Sequence, residues 1–332
     1  MCNGTIMDKL ISFSIPLMLS GILQLMFNAV DIVVVGRFSG SQALAAVGST
    51  TALINVFTNL FIGISLGANV LAARYYAAGK TKEMSETVHT AIALALVSGV
   101  AMAVIGVVFA RGALEIMGTP DDVIAKSTLY MRIYFCGMPF FMMYNYGTAI
   151  LRALGDTKRP LIFLIVSGVI NAILNLFLVI GFHLDVAGVG IATVISQLAS
   201  CILVLRCLHH TESSYQLHLA KLRIRSVYLK QIFEVGVPAG IQSTVINISN
   251  AMLQSSVNSF GSVAMAGYTA ANNIFGFLYA SINAVTQACM SFTSQNYGVG
   301  KWKRMDRVLV DCLILSTTIA LILGGGAYLF GP

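Results

Sequence analysis

Charged side chains in this chain come in clusters, and between the clusters run nine stretches that each hold at most one Asp, Glu, Lys or Arg. They cover about 10–36, 44–73, 87–110, 127–151, 160–182, 187–205, 231–258, 262–297 and 308–330. A bilayer core about 30 Å thick is crossed by roughly 20 apolar residues in helical form. Backbone groups in lipid must be satisfied inside their own segment, which makes these stretches helices. A barrel would alternate apolar and polar residues over strands of about ten residues, and no such alternation is visible. The composition agrees: 10% of the residues are charged, against about 25% in a soluble domain. The chain therefore reads as an all-α integral membrane protein with nine spans.

The first stretch begins after Asp8-Lys9 and ends without a small-x-small site, so it reads as a retained span and not as a cleaved leader. All but Arg37, Arg111, Lys126 and Arg132 of the 20 Lys and Arg residues fall at the N-terminus or in the loops after spans two, four, six and eight. The excess of positive charge on cytoplasmic loops then places the N-terminus in the cytoplasm of a cell-membrane protein. The net charge of +7 is spread over those loops and suits lipid headgroups, with no nucleic-acid partner expected. Cys2, Cys136, Cys201, Cys207, Cys289 and Cys312 form no CxxC pair. They read as small hydrophobes, with neither disulfide nor bound metal among them.

The chain also repeats itself. Ile15-Pro16 corresponds to Val237-Pro238, Asn28 to Asn250 and Phe38 to Phe260; further on, Tyr76-Ala77-Ala78-Gly79-Lys80 corresponds to Tyr297-Gly298-Val299-Gly300-Lys301. Spans one and two thus match spans seven and eight. The offset covers an even number of spans, so the copies run parallel, an arrangement used by transporters that hold substrate between two halves. The expected organisation is a six-helix N-lobe at 1–205, a basic cytoplasmic linker at 206–230 and a partial, three-helix C-lobe at 231–332. The second repeat reads as incomplete.

Three segments carry a family resemblance: Ile15-Pro16 with Asn28-Ala29-Val30-Asp31; Leu151-Arg152-Ala153-Leu154-Gly155-Asp156-Thr157-Lys158; and Val186-Ala187-Gly188-Val189-Gly190-Ile191-Ala192-Thr193. Together they make the chain similar to the multidrug and toxic compound extrusion family of secondary transporters. The resemblance implies two helical lobes around a cavity open to one side at a time. It also implies export of organic cations or other amphipathic compounds in exchange for Na⁺ or H⁺, with no other cofactor.

Asp31 stands inside an apolar stretch. A carboxylate at the centre of a membrane helix costs about 2.5–3.5 kcal/mol, a cost tolerated where the group captures a cation or a proton. Gln24, Asn28 and Asp31 share one helical face, which suits a wet cavity. Asn171 and Asn175 lie four residues apart in span five. In one branch of the family, a cation site joins the span-one Asp to an Asn-x-x-x-Asp pair and a Thr. By that resemblance Asp31, Asn171 and Thr193 match, while Asn175 replaces the second acid. The four oxygen-bearing side chains would suit Na⁺. Ser243, Asn247, Asn250, Gln254 and Asn258 form a polar stripe on span seven; Asn247, Asn250 and Gln254, with Gln24, Asn28, Tyr144 and Asn145, are the expected cavity lining. Span four is rich in aromatic and Met side chains, Tyr130 and Tyr134 among them, which attract organic cations.

No HExxH or ATP-binding loop is present, so the chain reads as a non-enzyme and not as an ATP-driven pump. Its partners are expected to be membrane lipid and small amphipathic or cationic molecules, bound by a monomer. Two alternatives stand: a flippase for lipid-linked sugars, for which Arg132 is the one cavity arginine available, and an inactive truncated fragment.

Overall fold

The computed structural model describes residues 1–211, 213, 215–258 and 262–330. Phe260 lies outside them, as do the side chains at positions 52, 251, 254, 255, 258, 262–266, 269, 270 and 330, which include Gln254 and Asn258. The helices are α1 (Ile6–Phe38), α2 (Gly40–Ala77), α3 (Thr81–Ile116), α4 (Asp121–Cys136), α5 (Met138–Ala153), α6 (Lys158–Asn175), α7 (Asp185–His209), α8 (Ser226–Asn258), α9 (Ser262–Gly298) and α10 (Trp302–Phe330). Among the described residues, six helical segments are long and apolar enough to cross a membrane: α1, α2, α3, Lys158–Gly181, α7 and α10. Helices α8 and α9 match them in length but carry polar side chains along one face.

Two stretches expected as simple spans differ in detail. Span four is two helices of 16 residues each, α4 and α5, meeting at Gly137. Pro139 in the first turn of α5 has no N–H to continue the α4 ladder, and its ring crowds the carbonyl four residues back. Span five does not end as an α-helix. After Asn175 the chain widens into a π-helical turn over Leu176–Gly181, and His183 and Asp185 follow with positive φ. Single π turns inside helices gather at functional sites.

The repeat is visible in the backbone. Gly79 and Gly300 end α2 and α9 with φ of 68° and 69°, in the left-handed region that costs a glycine nothing. At each end the Lys N–H reaches back to close the turn, from Lys80 to Tyr75 O and from Lys301 to Asn296 O, at 3.1 and 2.9 Å.

Two seams join α1–α7 to α8–α10. In the first, α2 crosses α8 backbone to backbone. A Cβ on Gly63 would lie 2.2 Å from Gly240 Cα, and one on Gly67 would lie 2.1 Å from Ile232 O. Such small-xxx-small pairs let membrane helices approach closely. The pentapeptide Gly63-Ile64-Ser65-Leu66-Gly67 also spells the hydrolase pattern GxSxG. Here it lies mid-helix, with the Ser65 hydroxyl returned to Ile62 O at 2.6 Å, and not on the strand-to-helix turn a hydrolase needs. In the second seam, Leu10, Phe13 and Leu17 of α1 pack on Ala284, Ala288 and Phe292 of α9, with the Phe13 and Phe292 rings edge to face at 5.6 Å.

Both seams lie in the half of the molecule that holds residue 6, the α2–α3 turn and the α9–α10 turn. In the other half, Val245, Ile248, Met252 and Leu253 of α8 and Ile274, Phe275 and Phe277 of α9 are exposed. The packed seams between the two helix sets lie in the basic half, and α9 goes on meeting α1 at Ala280 and Gly276.

Replacing Gly240 by Leu forces the α2–α8 backbones apart, at a cost of about 1–3 kcal/mol or more. Gly240→Leu is expected to lower the yield of monodisperse protein several-fold and to reduce its melting temperature. Gly112→Leu, which meets open space, is expected to leave both unchanged.

Candidate functional site

Helix α1 presents three different faces. Gly21 and Leu25 face α9, where Ala280 and Gly276 meet them, while Phe27 faces α6. The Phe27 ring fills the place of the side chain that Gly168 lacks: a Cβ there would lie 2.0 Å from the ring. This contact sets the register of α1 against α6. One turn beyond Phe27, Asp31 then meets the residue two turns beyond Gly168, which is Asn175.

The Asn175 Nδ2 donates to Asp31 Oδ1 and also reaches Asn171 Oδ1 at 3.1 Å. Asn171 and Asn175 are buried and Asp31 is half-buried. A hydrogen bond to a charged group contributes about 1.5–3 kcal/mol, enough to offset much of the cost of placing the carboxylate in the span. The Asn175 Oδ1 is buried and has no partner, so an acceptor without a donor sits beside a carboxylate. Such an oxygen costs about 1–3 kcal/mol unless something positive reaches it. Asp31, Asn171 and Asn175 together offer the oxygen-only donor set that a hard monovalent cation takes.

Tyr130 and Tyr134 of α4 stand within electrostatic reach of Asp31, with their ring centroids 6.1 Å apart. Gln197 of α7 lies beside Tyr134. The Gln197 Oε1 is a second buried acceptor without a partner, and it lies where a Cβ on Gly137 would be. The α4–α5 break therefore makes room for Gln197. Sequence reasoning placed Tyr130 and Tyr134 in an aromatic face and passed over Gln197, whose role depends on a glycine 60 positions away.

The remaining expected residues are placed as follows. Thr193 donates its hydroxyl to Val189 O at 2.9 Å, within its own helix, and is not drawn into the Asp31 cluster. Gln24 and Asn28 are exposed on the arc of α1 between its α6 and α9 faces; the opposite arc carries exposed Leu19, Met26, Val30 and Val33. Asn145 and Asn247 turn their amides back to Phe141 O and Ser243 O, each at 2.8 Å. Tyr144 reaches Pro160 O at 3.4 Å. Asn250 is exposed, and the Gln254 side chain lies outside the described residues. A second stripe, Asn283, Gln287, Ser291 and Gln295 on α9, was legible at a spacing of four and was missed.

The family pattern MatE matches residues 16–177 and 238–331. The protein named "Probable multidrug resistance protein YoeA" of Bacillus subtilis (strain 168) is 33% identical over 304 residues, covering 90% of this chain and 66% of that protein. "Multidrug export protein MepA" of Staphylococcus aureus (strain NCTC 8325 / PS 47) is 21% identical over 324 residues, 96% of this chain and 70% of its own. A solved structure described as the outward-facing conformation of a multidrug resistance MATE family transporter of the MOP superfamily superposes with a TM-score of 0.92. It shares 22% identity and covers 99% of this chain and 73% of that one. The chain thus spans about two thirds of the length of the relatives it matches.

Adding an acid beside Asp31 tests the cluster. Asn175→Asp removes the donor and opposes two carboxylates, so in Na⁺-free alkaline buffer the variant is expected to melt below the parent, and added Na⁺ to recover most of the loss. A melting temperature of Asn175→Asp that ignores Na⁺ would contradict the cation reading.

Proposed function

The chain belongs to the MatE family, and from that membership we propose that it is a secondary antiporter that moves amphipathic or cationic organic compounds out of the cell in exchange for Na⁺ or H⁺. The observation that carries this reading is the Asp31 carboxylate beside the unpartnered Asn175 Oδ1. A cation there would gain one full negative charge and neutral oxygens from Asn171 and Asn175. With a single acid, the site can hold either one cation or one proton.

The mechanism follows from three properties of the chain. The two helix sets act as an N-lobe and a partial C-lobe on either side of a crevice. Packed together chiefly in the basic half, they suit alternate opening of a single central path. Gln24 and Asn28 lie near Asp31 on α1, and with Asn247, Asn250 and Gln254 on α8, and Tyr144 and Asn145 on α5, they would give the substrate polar contacts. The partly exposed Tyr134 would couple the two events, its π face attracting an organic cation near the Asp31 charge. Neutralising Asp31 by a bound ion weakens that attraction, so substrate and ion exclude one another. The basic end faces the cytoplasm of the cell membrane, and the protein works as a monomer without a further cofactor. A substrate arriving by lipid is consistent with the exposed apolar faces of α1 and α6.

Expression in an efflux-deficient bacterium tests this. The parent chain is expected to raise the tolerated concentration of an organic-cation dye several-fold, and Asp31→Asn, at equal membrane abundance, to give no rise. Equal protection by both would remove Asp31 from the mechanism, and no protection by a well-inserted parent would show that this chain alone does not export.

A further inference from the structure

At the basic end, the two helix sets are tied by side chains that are almost completely buried. Asn69 of α2 is 4% exposed. Its Nδ2 donates to Ala149 O of α5 at 2.8 Å, and its Oδ1 accepts from the Ser291 hydroxyl of α9 at 3.1 Å. One turn along both helices, the Gln295 Nε2 of α9 donates to Ala153 O of α5 at 2.6 Å. Ser291 and Gln295 are 1% and 4% exposed.

The chemistry of each rung is one-sided. Asn69 has its amide NH₂ on a carbonyl and its oxygen on a hydroxyl, so a flipped amide would set its oxygen against the Ala149 carbonyl and lose that bond. Ala153 closes α5, and its carbonyl is one of the terminal acceptors that no backbone donor of the helix satisfies. Gln295, from the other helix set, caps it. Polar contacts at the rim, such as Tyr75 with Gln231 at 2.8 Å and Arg74 over the Tyr297 ring at 4.4 Å, surround these rungs but are more open to water.

The α9 stripe changes partners along its length. Gln287 Nε2 bonds Asn283 Oδ1 at 2.9 Å within the helix, whereas Ser291 and Gln295 reach across to the other set.

We propose that Asn69, Ser291 and Gln295 form the inner latch of the crevice, holding α9 against α2 and α5 at the basic end and releasing when the lobes rock. The latch rests on the transporter reading above. Its strength suits a reversible contact. With the latch closed, Asn69, Ser291 and Gln295 each have a partner; with the lobes parted, water takes over the same groups, and the net difference per bond is small. Removing the C-lobe partners changes this balance in one direction. The closed state is left with a buried Ala153 carbonyl and Asn69 oxygen lacking donors, and the open state is unaffected.

The test measures distance and needs no substrate, so it can fail independently of export. Spin labels are placed at Lys158→Cys on α6 and Lys303→Cys on α10, both exposed, in the full chain with its native cysteines replaced by Ala, in lipid nanodiscs. The parent is expected to show mainly one short distance. In the Ser291→Ala/Gln295→Met variant a longer distance is expected to gain, with the open-to-closed ratio rising about tenfold. Ser200→Ala, which removes a bond within α7, is expected to leave the distribution unchanged. If the double variant is not monodisperse, Ser291→Ala alone, lacking one hydroxyl, is measured, with about a threefold rise expected. A distribution identical to the parent's in a folded latch variant overturns the proposal, as does an equal shift in Ser200→Ala.

Discussion

A carboxylate inside an apolar helix has to be compensated, and the bond from Asn175 to Asp31 is the compensation around which the first helices are arranged. The bond exists because Phe27 fits the gap at Gly168 and fixes how far α1 has slid along α6. The same bond leaves the Asn175 oxygen unsatisfied. The site is thus stable enough to fold and still short of positive charge, the condition in which a cation can enter and leave.

Much of this architecture was legible in the sequence because lipid is an unforgiving solvent. Charge is rare in every span, so the span positions could be read off, and the repeat set Gly79 against Gly300, where the paired turns fall. Asp31 declared itself by the same rule. The details that were not legible depend on contacts between helices. Pro139 could as well have kinked span four as broken it; the π turn after Asn175 left no compositional trace. The spacing of Asn171 and Asn175 showed a shared face but not that it meets α1. Thr193 matched a pattern, and its hydroxyl donates to Val189 O, a bond any Thr in a helix can make and one that leaves the oxygen lone pairs in place.

The fold also explains why the two ends of the molecule behave differently. Glycines at 63, 67, 236 and 240 bring α2 and α8 into backbone contact at the basic end, where dispersion and close packing act without help from the hydrophobic effect. Toward the other end α8 exposes the large apolar side chains Val245, Ile248, Met252 and Leu253. A pair of seams at one end gives a pivot, and side chains that bond across the crevice near it give a stop. Motion of the lobes can then change access to Asp31 without dismantling either helix set.

The central claim is that the Asp31 carboxyl exchanges a small cation. Infrared difference spectroscopy of the purified parent and of Asp31→Asn addresses it directly, because a carboxyl and a carboxylate absorb at separate frequencies. The account expects a carboxyl band that grows as the pH falls, that is opposed by added Na⁺, and that is missing from Asp31→Asn. A carboxylate signal indifferent to both pH and Na⁺, or the same response in the two proteins, would contradict it.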